Sequence, residues 1–153
     1  MELILWRHAD AEDGVPDLER RLTGKGRKQA ERMAKWLKPR IDGNWVILSS
    51  PALRACETAE ALGVKFEIRD RLSTDTSAKA LLHEAQWPTG KKNVVIVGHQ
   101  PVLGEVAAQL IGLQDAELAV KKGAIWWFAA SAGIAGETVT LRAVIGPDVV
   151  SVE

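Results

Sequence analysis

Four side chains of this sequence suit one kind of chemistry. Arg7 and His8 are adjacent near the start, Arg54 follows a Ser-Ser-Pro turn, and His99 follows a run of valine and isoleucine. A phosphoryl group in transfer spreads negative charge over its equatorial oxygens, so catalysis rests on positioning and on fixed positive charge. Guanidinium forks match those oxygens two at a time and stay charged at any relevant pH. A neutral imidazole is a competent nucleophile near pH 7. Arg7 and Arg54 beside His8 should disfavour its imidazolium and keep it reactive. With cations supplied by the protein, the expectation is that neither metal nor cofactor is needed.

These residues can act together only if the fold gathers them, and the hydrophobic pattern says how. Apolar runs predict strands at Glu2–Trp6, Trp45–Ser49, Lys65–Ile68 and Asn93–Val97, with two more at Ala124–Ala130 and Thr138–Ile145 joined by a Gly- and Ala-rich turn. Helical spacing falls between them. Thr23 caps a helix that carries Ala30, Met33, Ala34 and Leu37 and ends at Pro39. Ser50 and Pro51 read as N-cap and first residue of a helix carrying Ala55, Ala59 and Leu62 and closed by Gly63. Two further helices are expected over Ser77–Gln86 and Pro101–Ile111. Strands alternating with helices imply a three-layer α/β/α arrangement around a mostly parallel sheet. The last two strands have no helix between them, so they form a hairpin or add an antiparallel strand. Ligands of such sheets bind outside the carboxyl ends of the strands. Arg7-His8, Arg54 and His99 all follow strand ends, and the N-terminus of the helix after Pro51 adds backbone donors there.

Composition narrows the setting. A chain of 153 residues is long enough for one domain with a real core, expected to span 1–153. Basic and acidic residues balance at 20 each, which argues against nucleic acid as the main partner. Cys56 is the single cysteine, consistent with a reducing compartment. The start of the chain lacks the pattern of a signal peptide, and no stretch is long and apolar enough to span a membrane. A cytoplasmic protein that keeps its N-terminus is the expectation.

Four segments occur in order: Leu5-Trp6-Arg7-His8-Ala9-Asp10-Ala11-Glu12, Leu22-Thr23-Gly24-Lys25-Gly26-Arg27-Lys28-Gln29-Ala30, Ser49-Ser50-Pro51-Ala52-Leu53-Arg54-Ala55-Cys56-Glu57-Thr58-Ala59, and Val97-Gly98-His99. Together they resemble the histidine phosphatase, or phosphoglycerate mutase-like, superfamily. The resemblance implies a six-stranded mixed sheet with one antiparallel strand. It implies His8 as the residue that carries the phosphoryl group, with Arg7, Arg54 and His99 completing the catalytic and substrate-binding pocket. The short chain is most similar to the SixA-type phosphohistidine phosphatases, so the implied substrate is a phosphohistidine-bearing protein. The alternative is a small phosphorylated molecule hydrolysed by the same machinery. A non-catalytic phosphoprotein-binding module is disfavoured by the intact set of four.

The proton donor is the gap. The stretch Asp70–Asp75 has no glutamate where the mutases carry their acid, and Gln100 stands where the acid phosphatase branch has aspartate. Asp10, Glu12 and Asp75 are the candidate donors. An alkoxide leaving group needs protonation, worth about 10²–10⁴-fold, whereas an imidazole can be protonated before its bond to phosphorus breaks. An acid-poor site therefore favours phosphoramidates. Other phosphate chemistries fit worse. A cysteine phosphatase would need arginine where Leu62 stands, Gly90-Lys91-Lys92 lacks the rest of a P-loop, and His83 has no partner histidine for zinc. Trp126 and Trp127 are adjacent on a strand and must face opposite sides, one toward the core, and Trp6 is expected beneath the site.

Overall fold

The computed structural model describes residues 1–133 and 136–150. Its elements are β1 (Glu2–Arg7), α1 (Gly24–Leu37), β2 (Trp45–Ser49), α2 (Leu53–Glu60), β3 (Glu67–Ile68), α3 (Ala78–Ala85), β4 (Asn93–Gly98), α4 (Val102–Leu110), β5 (Ile125–Gly133) and β6 (Gly136–Ile145). They build a sheet of order β3-β2-β4-β1-β5-β6. β1 to β4 run parallel, β5 runs antiparallel to β1, and β6 runs antiparallel to β5. β5 is thus the one strand that points against the rest, as the resemblance implied.

The period of two along each strand sorts side chains onto the two faces of the sheet. Leu3 and Leu5 of β1 with Val94 and Ile96 of β4 face α3 and α4, whose Leu81, Ala85, Leu103 and Val106 are buried against them. Ile4 and Trp6 with Val95 and Val97 face α1 and α2, through Met33, Ala34, Leu37, Ala55 and Ala59. Central strands buried on both faces explain why β1 and β4 read as unbroken apolar runs. Trp127 joins the second face, where its ring meets Trp36 and Trp45 edge-on at centroid distances of 6.3 and 5.8 Å. Trp126 packs on the opposite face, stacked at 6.4 Å on Phe128.

Register brings the site together. Arg7 pairs with Gly98 and Ser49 with Val97, so β1, β4 and β2 end level. The ladder runs one step further, His8 N–H donating to Gly98 O and Ser50 N–H to Val97 O, both at 3.0 Å. His8, Ser50 and His99 therefore leave the sheet side by side.

Several boundaries depart from the sequence-based expectation. Ser50 does not cap α2. Its Oγ accepts the Ala52 N–H at 3.1 Å, the chain bends at Pro51 and Ala52, and the helix begins at Leu53 with no side-chain cap. β3 keeps only Glu67 and Ile68, because these alone pair with Leu48 and Ser49. The expected Gly- and Ala-rich turn is mostly strand. β5 continues to Gly133 and β6 begins at Gly136, and residues 134–135 lie outside the described residues. At α1 the expected cap is present: Thr23 Oγ1 accepts from Gly26 N–H at 2.9 Å. Gly26 has a packing reason, since a Cβ there would run into the Asp10 carbonyl.

Candidate active site

The β1 end supplies the imidazole. His8 is 6% exposed, and its Nδ1 lies 2.8 Å from the carbonyl oxygen of Ala9. A carbonyl only accepts, so Nδ1 carries the proton and Nε2 keeps its lone pair in the neutral ring. Nε2 in turn lies 3.4 Å from Nε of Arg54. Burial, the largest cause, pulls the His8 pKa down to about 4; the Ala9 hydrogen bond opposes this, and Arg54, Arg7 and Arg20 add to it. The expected neutrality holds, with burial rather than the arginines as its leading cause.

Thr58, one turn beyond Arg54, ties this loop to α2. Its hydroxyl donates to Arg54 O at 2.8 Å and accepts the Ala9 N–H at 3.1 Å. Arg54 is 4% exposed. It donates through Nη1 to Asp17 O at 2.8 Å and through Nη2 to the Asp17 carboxylate at 3.2 Å. Burial pulls the Asp17 carboxyl up, but the hydrogen bond and charge of Arg54, followed by those of Arg20, outweigh it and hold it below the usual carboxylate range.

The β4 end supplies His99, whose ring centroid lies 5.2 Å from that of His8. Its Nε2 lies 2.7 Å from Ser50 Oγ. Burial, then His8 and Arg54, lower its pKa to about 3. Two polar atoms at this edge are buried without a hydrogen-bond partner among the described residues: Nδ1 of His99 and Nε of Arg7. Arg7 is otherwise held through Nη1 by Val120 O at 3.0 Å. Trp6 is fully buried below, its indole donating to Gly123 O at 3.1 Å. The four residues border a cavity of about 340 Å³, with Asp13, Asp17, Arg20, Thr74 and Gln100 at its sides.

The three candidate donors lie elsewhere. The Asp10 carboxylate is engaged by Thr23 at 2.7 Å and Lys122 at 3.0 Å, and these two hold it below its ordinary range. Glu12 and Asp75 are exposed and do not border the cavity. Gln100 is occupied structurally. Its amide donates to Leu118 O at 2.9 Å and accepts the Gly104 N–H at 2.7 Å, fixing the start of α4. Cys56 is buried against Ser50 O, and burial pushes its thiol pKa up.

Residues 3–75, which hold Arg7, His8 and Arg54, match the model of the histidine phosphatase superfamily (branch 1). The chain is 33% identical over 131 residues to the phosphohistidine phosphatase SixA homolog of Haemophilus influenzae, covering 75% of this chain and 80% of that one. The chain belongs to the histidine phosphatase superfamily. Another relative of this histidine phosphatase is phosphohistidine phosphatase SixA of Escherichia coli, 30% identical, with 72% of this chain and 74% of that one covered. Among solved structures, the protein histidine phosphatase SixA complexed with tungstate superposes with a TM-score of 0.79 at 26% identity, over 97% of this chain and 98% of the other.

Sequence reasoning missed Asp17, Ser50 and Thr58 in this histidine phosphatase. Asp17 sits in a polar loop with nothing to distinguish it from Asp10 or Asp13. Ser50 has the local pattern of a helix cap, and its position level with His8 and His99 follows only once the strands are paired. Thr58 had a signal, four residues after Arg54 on the same helix face.

Proposed function

We propose that the chain is a phosphatase that works through a phosphorylated His8, and that its substrate is a phosphohistidine on a partner protein. The observation that carries this reading is the His8 ring, with its proton fixed on Nδ1 by Ala9 O and its unprotonated Nε2 accepting from the Nε–H of Arg54. In the first step Nε2 attacks phosphorus and the P–N bond of the substrate breaks. A phosphohistidine whose other ring nitrogen is protonated leaves as neutral imidazole, so no protein acid is required. Positive charge appearing on the His8 ring is stabilised by the Ala9 carbonyl. In the second step water attacks the phosphorus, the P–N bond to His8 breaks, inorganic phosphate leaves and the neutral ring is restored.

Arg7, Arg54 and His99 suit the equatorial oxygens. Among the described residues, Nε of Arg7 and Nδ1 of His99 have no hydrogen-bond partner, which supports a role for both as donors to those oxygens. When the Ser50 hydroxyl donates to His99 Nε2, the proton of the neutral His99 ring lies on Nδ1 and can bind an oxyanion at neutral pH. Guanidinium groups take the part that a metal plays in other phosphoryl-transfer sites. Among the described residues no helix is long and apolar enough to cross a membrane. The lone, buried and free Cys56 supports a reducing, cytoplasmic setting.

Asp13 and Asp17 at the cavity side favour a second reading, hydrolysis of small phosphomonoesters with one of these carboxyls protonating the alkoxide. Arg54 holds Asp17 ionised, which weakens it as an acid. Comparing kcat/KM for a phosphohistidine protein with that for sugar phosphates separates the two. The proposal expects a preference for the protein; an equal or reversed preference selects the second reading.

A further inference from the structure

A second, larger concavity of about 830 Å³ opens beside the catalytic cavity, with Arg7 and Lys122 bordering both. Lys25, Lys28, Gln29 and Arg32 line one wall. Their spacing of i, i+3, i+4 and i+7 puts them on a single face of α1, beside the buried stripe of Ala30, Met33 and Ala34. Lys121 and Lys122 form the other wall. Asp148 is the one carboxylate among the lining residues. Acidic and basic residues balance over the whole chain, so this density of cations is local and not a consequence of a basic protein. Among the described residues, no carboxylate lies within ion-pairing distance of Lys25, Lys28 or Lys121.

The groove is coupled to the nucleophile through backbone. Gly123, directly after Lys121-Lys122, donates its N–H to the carbonyls of Arg7 and His8, each at 3.1 Å. It takes a left-handed φ of +75°, and a Cβ would press on Pro147 at 3.2 Å. The cationic wall and His8 are thus fixed relative to each other. Resting on the phosphohistidine-protein reading, we infer that this groove binds an acidic segment of the substrate protein that flanks its phosphorylated histidine. The catalytic cavity already provides for one phosphoryl group, while the groove offers cations on two separate elements over a larger volume. That suits several carboxylates in a row better than a single small anion. Complementary charge at such a surface acts through encounter and affinity, not through the bond-breaking step.

The test uses two phosphohistidine peptides that differ only in flanking residues, glutamates in one and serines in the other, together with p-nitrophenyl phosphate. Each is turned over by the wild type and by a K28E/K121E double variant, whose side chains are exposed and outside the catalytic cavity. The wild type should prefer the glutamate peptide by at least about tenfold in kcat/KM, expressed in KM, and the variant should lose that preference. About 0.5 M salt should erode it in the wild type. Turnover of p-nitrophenyl phosphate should stay within about twofold in the variant, reporting an intact catalytic cavity. Equal kcat/KM for the two peptides on the wild type, or a preference that survives the charge reversal, overturns the inference. A bisphosphorylated sugar is offered as a further substrate, and a variant that loses it while keeping both peptides also overturns the inference, because the groove then serves small polyanions. If neither phosphohistidine peptide is hydrolysed while p-nitrophenyl phosphate is, the substrate reading fails by itself. Fluorescence anisotropy with the unphosphorylated glutamate peptide then decides the groove: weaker binding to the variant supports it, and equal binding overturns it.

Discussion

Nε of Arg54 faces Nε2 of His8 at 3.4 Å, while the other face of the same guanidinium is held by Asp17 through its backbone carbonyl and its carboxylate. One arginine therefore stands at the attacking atom and is itself held in place by the short helical turn at Asp17–Glu19.

Arg54 and Asp17 should separate cleanly in kinetics. Arg54→Ala removes a charge at the reacting phosphorus and should lower kcat by about 10²–10³-fold, the magnitude of one lost oxyanion donor. Asp17→Asn keeps the side-chain shape and the backbone acceptor, and the charge it removes sits on the solvent-exposed partner of the pair, where screening keeps the contribution small. Its effect should stay below about tenfold. Steady-state kinetics of both variants check this; a mild Arg54→Ala effect would remove Arg54 from the reacting centre.

Acidity should act on both rate and stability. With its pKa at about 4, His8 loses nucleophilicity only as pH falls toward that value, so kcat/KM should be flat in its acid limb down to about pH 5. For stability, both histidines have folded pKa values below the unfolded value of 6.5. Between those limits the unfolded chain binds more protons, so stability falls as pH drops from about 6.5 toward 4 for His8 and toward 3 for His99. Asp10 and Asp17, with lowered pKa values, hold their full contribution above the ordinary carboxylate value of 3.8 and lose it as pH falls below that value. Urea unfolding at a series of pH values should show this slope, and His99→Gln should flatten it.

Ser50→Ala should harm both folding and turnover. Ser50 is fully buried, and its Oγ serves His99 Nε2 and the Ala52 N–H at once. Leaving buried polar partners unsatisfied costs about 1–3 kcal/mol. The His99 tautomer also loses its determinant, so kcat should fall about tenfold or more while KM changes less. Ser50→Thr, which keeps the hydroxyl, should recover part of the rate; equal loss in both variants would point to packing alone.

How much of this was legible in the sequence differs by residue. β2 was read to its ends, because Trp45–Ser49 is an apolar run bounded by turn residues. Thr23 announced α1 through cap chemistry that operates within four residues. Arg7, His8, Arg54 and His99 were legible as residues that follow strands, and the fold brings all four to one cavity. What escaped depends on long-range register. Ser50 meets His99 only because β2 and β4 end level, and a hydroxyl before proline looks locally like a cap. Asp17 meets Arg54 across 37 residues of sequence, from a short 3-10 turn at Asp17–Glu19 whose sequence carries no period. The long β5–β6 hairpin was shortened in the reading because alanine, serine and glycine are weak strand signals, and pairing along the sheet edge overrides them.

The central claim is that His8 carries the phosphoryl group, and rapid acid-free quenching with a labelled phosphohistidine protein tests it most directly. Wild-type protein should hold a base-stable, acid-labile label that maps to His8, and His8→Ala should hold none. Equal labelling of His8→Ala, or turnover of substrate with no such label at any time, would contradict it.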